Sequence, residues 1–201
     1  GYNSSGQLGQ GNTTSLSTPT LVPGLTGVVS VVAAGDSSFA VLDNGTVRVW
    51  GSNGYANLGN GSFANATSPK LLPLTNVVAI AASSMHGLAL KADGTVYSWG
   101  TNFAGQLGDG TLTNRNAPYQ VTGLPPVVQV SCHERHMLAL TADGEVWAWG
   151  DNTSGQYGNN TSNNTNANTN TTTNTNTNTT ANTNTNATTN ANTNTNTKYE
   201  I

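Results

Sequence analysis

The sequence predicts an all-β fold: about three propeller-type blades of four strands each, in an incomplete ring, followed by an extended Asn/Thr-rich tract. Three observations lead there. First, the phrase "WGTNFAGQLGDG" at residues 99–110 returns as "WGSNGYANLGNG" from Trp50 and "WGDNTSGQYGNN" from Trp149, and the opening "GYNSSGQLGQG" is the same phrase without its Trp. Leu8, Leu58, Leu107 and Tyr157 stand 50, 49 and 50 residues apart, and a fixed period near fifty marks a repeat architecture. Second, the residues between these phrases are short β-branched runs with no helical period. Third, each cycle carries one Asn-Gly or Asp-Gly pair between two such runs, the signature of a hairpin.

Each element of the cycle has its own justification. "VVSVVA" from Val28, "VVAIAA" from Val77 and "VVQVSC" from Val127 read as buried strands. "SFAVLDNGTVRVWG", "GLALKADGTVYSWG" and "MLALTADGEVWAWG" each read as strand, two-residue turn and strand. Asn44-Gly45, Asp93-Gly94 and Asp143-Gly144 suit a type I′ turn, where both central residues need φ > 0. The glycine phrase then turns the chain from one blade toward the next, because Gly supplies φ > 0 and admits close backbone approach. Trp50, Trp99 and Trp149, with Leu58 and Leu107, are expected to wedge apolar bulk between blades. A Pro-led strand closes the cycle, "TPTLV" from Thr18, "SPKLL" from Ser68 and "APYQV" from Ala117, since Pro is tolerated on an edge. The repeats divide as a partial unit 1–27, then 28–76, 77–126 and 127–158.

The stretch "GLALKADGTVYSWGTNFAGQLGDG" closely resembles the regulator of chromosome condensation repeat, and the resemblance extends over residues 1–158. It implies a β-propeller, usually of seven blades, which about three blades cannot close. The family commonly carries a His shortly before the "LAL" strand. His86 and His136 match that place and Ser37 replaces it in the first cycle. They are expected to pack within blades with a satisfied ring nitrogen. One per blade does not make the cluster a metal site needs. Family members include an exchange factor for a small nuclear GTPase, secreted bacterial enzyme inhibitors and interaction modules, and the fold alone does not choose among them.

Composition narrows the function. Charged residues are 7 % of the chain, against roughly 25 % in a typical soluble domain, and the net charge is -3. With no cluster of Lys or Arg, neither nucleic acid nor an anionic membrane is an expected partner, and no apolar run is long enough to span a bilayer. Gly1 stands where the residue after Trp belongs, so the sequence is expected to begin inside a repeat. The single cysteine, Cys132, aligns with Ala33 and Ala82 and reads as a small buried residue; His133 beside it has no orienting third group. No catalytic triad, paired carboxylates or ligand cluster stands out, so no catalytic residue, metal ligand or cofactor is expected.

From Asn159 to Thr197 the chain is almost wholly Asn and Thr, and residues 198–201 form a terminal segment. Three readings stand: a flexible linker, an extended strand completing the third blade or adding to another subunit, and a glycosylated stalk. Asn-x-Ser/Thr triplets occur in the tract at Asn159, Asn160, Asn163, Asn170, Asn178 and Asn186, and in the blade loops at Asn3, Asn12, Asn60, Asn65 and Asn152. Asn44 also fits, but in a turn. The sequence is therefore expected to encode a non-catalytic extracellular or cell-surface building block, glycosylated and self-assembling into an appendage or filament. The alternative is a regulatory protein-interaction module, a fragment of an exchange-factor-like or enzyme-inhibitor-like propeller.

Overall fold

The computed structural model describes residues 1–158 and the strand backbones Thr172–Asn174, Asn182–Thr183 and Thr195–Asn196. The described residues contain only strands, turns and loops, with no helix long and apolar enough to cross a membrane. The first blade comprises β1 (Val28–Ala34), β2 (Ser37–Leu42), β3 (Val47–Gly51) and β4 (Ala66–Leu71) in an antiparallel sheet of order β1-β2-β3-β4. The second repeats it with β5 (Val77–Ala82), β6 (His86–Lys91), β7 (Val96–Gly100) and β8 (Arg115–Val121). The third has β9 (Val127–His133), β10 (His136–Thr141) and β11 (Val146–Gly150), with β12 (Thr172–Asn174) in fourth place. β13 (Asn182–Thr183) and β14 (Thr195–Asn196) pair with each other.

The sheets stack face to face, as the period-two pattern of each strand requires. In β6 the alternation is explicit: Ala89 joins the core shared with the first blade, while Leu88 and Leu90 join the core shared with the third. Phe39, Val41, Val49, Leu58 and Trp99 fill the first seam, and Val96, Met137 and Trp149 help fill the second. The ring of blades is open.

Three local details differ from the sequence expectation. The hairpins are not type I′ turns. Gly45, Gly94 and Gly144 have positive φ, but Asn44, Asp93 and Asp143 do not. Gly45 N–H donates to Leu42 O at 2.9 Å and Leu42 N–H to Thr46 O at 2.9 Å, a three-residue loop whose glycine forms the bulge. The side chain at the middle position accepts the amide two residues on, Asn44 Oδ1 from Thr46 N–H at 3.0 Å and Asp93 Oδ1 from Thr95 N–H at 3.0 Å, and this local bond favours that geometry. Next, β1, β5 and β9 are not wholly buried: each shifts register near its second residue, and Val29, Val78 and Val128 are exposed there. Finally, "TPTLV" from Thr18 is not a strand. The strand it would pair with, the counterpart of β3 and β7, is absent from the described residues before it, and a strand has no ladder without a neighbour.

Candidate interaction surface

At one end of the blades the glycine phrases form corner loops, and a single arrangement recurs in each. The indole N–H of Trp50 donates to Gln7 O at 2.9 Å, that of Trp99 to Asn57 O at 2.9 Å and that of Trp149 to Gln106 O at 3.0 Å. Each of these three Trp thus locks onto the corner of the preceding repeat, and all three are buried. This explains the glycine phrase. A Cβ on Gly59 would lie 2.5 Å from Trp99 Cδ1, so the backbone must be bare where the indole lies on it. Gly100, directly after Trp99, has φ +104 and a Cβ there would sit 2.4 Å from Met85 O. Leu58 and Leu107 are fully buried beneath their corners, whereas Tyr157 in the same place is only partly buried.

A second recurring group went unread in the sequence as a strut. Asn3, Asn53, Asn102 and Asn152 occupy one place in the phrase and all are buried. Asn102 Oδ1 accepts Leu107 N–H at 2.9 Å, and its Nδ2 donates to Thr111 O at 2.9 Å and Thr113 O at 3.2 Å. Asn53 does the same with Leu58 N–H at 3.0 Å, Ser62 O at 2.9 Å and Ala64 O at 3.2 Å. Asn3 bonds Leu8 N–H at 2.8 Å and Thr14 O at 2.9 Å, and Asn152 accepts Tyr157 N–H at 2.9 Å. One side-chain amide pins both arms of each complete corner.

Of the expected sugar sites, Asn3 and Asn152 are buried in the folded chain. Of the others, Asn12 and Asn65 are exposed and Asn60 is partly so, while Asn159, Asn160, Asn163, Asn170, Asn178 and Asn186 lie outside the described residues. The signal that would have revealed the struts was their fifty-residue recurrence, which Ser5 and Ser154, two positions after Asn3 and Asn152, obscured.

Most other polar groups at this end are engaged, with buried Asn57 Oδ1 and His86 Nε2 lacking a hydrogen-bond partner among the described residues. In the second corner the Asp109 carboxylate meets Arg115 Nη2 at 2.8 Å and Nε at 2.9 Å. Burial alone would raise its pKa, but hydrogen bonds from Thr111 and Arg115 outweigh that and hold it below the usual carboxylate range. His86 is buried, with Nδ1 3.0 Å from Ser83 Oγ and Nε2 without a hydrogen-bond partner among the described residues. Its expected satisfaction is met at one nitrogen. Burial, then the neighbouring His136, bring its pKa down to about 4. His136 is half-buried, and burial and His133 lower it too, against an opposing pull from Asp151. Cys132 is half-buried at the second seam and burial pushes its thiol up to about 12, which leaves it a poor nucleophile. Among the described residues no group of three or more His, Cys, Asp or Glu is gathered as metal ligands would be.

Two of these pinned corners present large apolar side chains outward, among exposed polar residues such as Asn65 and Asn114. Tyr55 is 52 % exposed, Phe63 63 %, Phe103 69 % and Leu112 54 %, all on the loops after β3 and β7. No periodicity announced them, since Tyr55 aligns with Ala104 and Phe103 with Gly54. The opposite end carries the hairpin turns with Asp43, Asp93 and Asp143, and the exposed bulge valines.

The repeat model described as regulator of chromosome condensation (RCC1) repeat matches residues 1–41, 44–90 and 93–140, and a second model of that repeat matches 77–106 and 127–156. The chain belongs to this repeat family. Among solved structures it is similar to human WBSCR16, at 29 % identity over 61 % of this chain and 33 % of that one, with a TM-score of 0.58. It is similar to Prp20p of Saccharomyces cerevisiae, at 24 % identity over 65 % of this chain and 35 % of that one, with a TM-score of 0.59. That protein was described together with its binding to Gsp1p and histones. The yeast RCC1 (Prp20) bound to Kap60 matches at 26 % identity over 65 % of this chain and 34 % of that one, with a TM-score of 0.58. The chain spans about a third of the length of each of these relatives.

Proposed function

We propose that this chain is a non-catalytic protein-interaction module whose partner docks on the corner-loop end of the blades. The observation that carries this reading is the set of exposed large apolar side chains, Tyr55, Phe63, Phe103 and Leu112, on loops pinned by buried asparagines. Aromatic anchors on a preorganised support suit a protein interface, because the rings contribute contact area and the loops lose little entropy on binding. Support also comes from the family, in which Prp20p binds proteins. The polar groups beneath the surface hold the loops together, which favours a binding role over a reactive one.

The test compares two surface variants of equal stability. One carries Tyr55→Ser, Phe63→Ser, Phe103→Ser and Leu112→Ser; the other carries Val29→Ser, Val78→Ser and Val128→Ser at the opposite end. Partners retained by the unaltered chain from extracts of its source should be lost from the first variant and kept by the second. Equal retention by both would overturn the proposal.

A second reading, an extracellular, glycosylated building block that assembles with copies of itself, draws on the exposed triplet sites Asn12 and Asn65 and on the composition of the tract. The family match favours the interaction module over it. Intact-mass measurement before and after glycosidase treatment separates the two, since an unshifted mass would remove the sugar on which the second reading depends.

A further inference from the structure

The third blade resembles the other two through its corner and then departs. Up to Gly158 it has three strands, the Trp149 lock and the Asn152 strut. It has no Pro-led segment, and an Asn/Thr tract follows. Without a fourth strand, β11 would present an unpaired edge with Val146 exposed beside it, a template for any extended chain. We infer that this edge is a strand-docking site and that its occupant is the chain's own tract, through Thr172–Asn174.

Register carries the inference. In the second blade Val96 pairs with Val121, Tyr97 with Gln120 and Ser98 with Tyr119. In the third, Val146 pairs with Asn174, Trp147 with Thr173 and Ala148 with Thr172, in the same antiparallel sense. Thr172–Asn174 therefore stands in the place of Tyr119–Val121. The connection is longer: Tyr119 follows Gly108 by eleven residues, as Lys70 follows Gly59, whereas Thr172 follows Gly158 by fourteen. The residue types differ as well. Asn174 holds the register position where the second blade buries Val121, and the first blade buries Leu72 at the end of its own Pro-led segment. Backbone hydrogen bonding is open to any sequence, but the apolar contribution that fixes β4 and β8 is missing from this cap. The cap blunts the edge while remaining displaceable by an extended segment that brings an apolar residue to that position.

Hydrogen exchange in the full chain tests this, with Thr172→Pro to remove a ladder donor and Asn174→Val to restore the apolar residue. Amides of Val146 and Ala148, which face β12, should exchange roughly tenfold faster or more in Thr172→Pro and several-fold slower in Asn174→Val, with rates unchanged on dilution. Identical exchange at β11 in all three chains would overturn the inference. So would protection that disappears on dilution, because a second copy would then be the occupant.

Discussion

The segments Thr18–Val22 and Ala117–Val121 are the same phrase in two settings, and only the second is part of a strand. Their packing against the corner is alike. The bare face of Gly9 lies against Trp50 and Val22, and that of Gly108 lies against Trp149 and Val121. They differ in the neighbour. Gln120 and Val121 pair with Tyr97 and Val96 of β7, while among the described residues no such strand lies beside Leu21, which is 86 % exposed. Pro19 and Pro118 tolerate an edge position equally, so propensity does not separate them. A strand here is something the adjoining strand confers, and a corner contact alone holds a segment in place without making it β.

The largest way to break the comparison is to remove the Trp. Trp50→Ala and Trp149→Ala should each cost roughly 3–5 kcal/mol in denaturant unfolding, the range for truncating a buried aromatic. Limited proteolysis should then separate them. Thr18–Val22 should be released in the first variant, whereas Ala117–Val121 should stay protected by its ladder in the second. Release of both would mean that packing, not pairing, holds β8.

Acid is the next lever, because it acts on the second blade and leaves the N-terminal segment alone. His86 carries a folded-state pKa of about 4 against the ordinary 6.5, so the fold favours its neutral form. That contribution is fully present above pH 6.5 and is lost as pH falls toward 4. The difference amounts to about 3 kcal/mol. His136, also lowered, adds in the same direction. Unfolding measured at pH 7 and pH 4 should show this loss, and His86→Gln should reduce it. A variant with an unchanged pH profile would show that His86 is not the titrating group.

Two smaller substitutions sharpen the contrast at matched positions. Val121→Ala removes a buried side chain and should cost about 2 kcal/mol, while Val22→Ala, only partly buried, should cost less than about 1 kcal/mol. Leu21→Lys should change stability by no more than about 0.5 kcal/mol, as surface substitutions do. Comparable losses from Val22→Ala and Val121→Ala would place the N-terminal segment in a core that the structure does not give it.

How much was legible follows from the same physics. The Trp, Leu and Gly of each corner were readable because every blade makes the same contact, and repetition of a contact becomes periodicity of a residue type. The Asn struts were just as periodic, but their side-chain amides bond to backbone atoms five to eleven residues away, which no local pattern spells out. The hairpin loops were placed correctly and given the wrong turn type, since the Asx side-chain bond and the glycine bulge compete with type I′ on equal sequence terms. Tyr55, Phe63 and Phe103 were invisible as a group because a surface need not repeat.

The sequence by itself determined the period, the strand–turn–strand cycle and the glycine corners, because these rest on side-chain alternation and on φ values that few residues adopt. Tertiary structure decided which Pro-led segment became a strand, which asparagines were buried, and which aromatic side chains met solvent. Those outcomes depend on what lies across the next seam or along the next edge, and a single chain's local order carries no record of its neighbours.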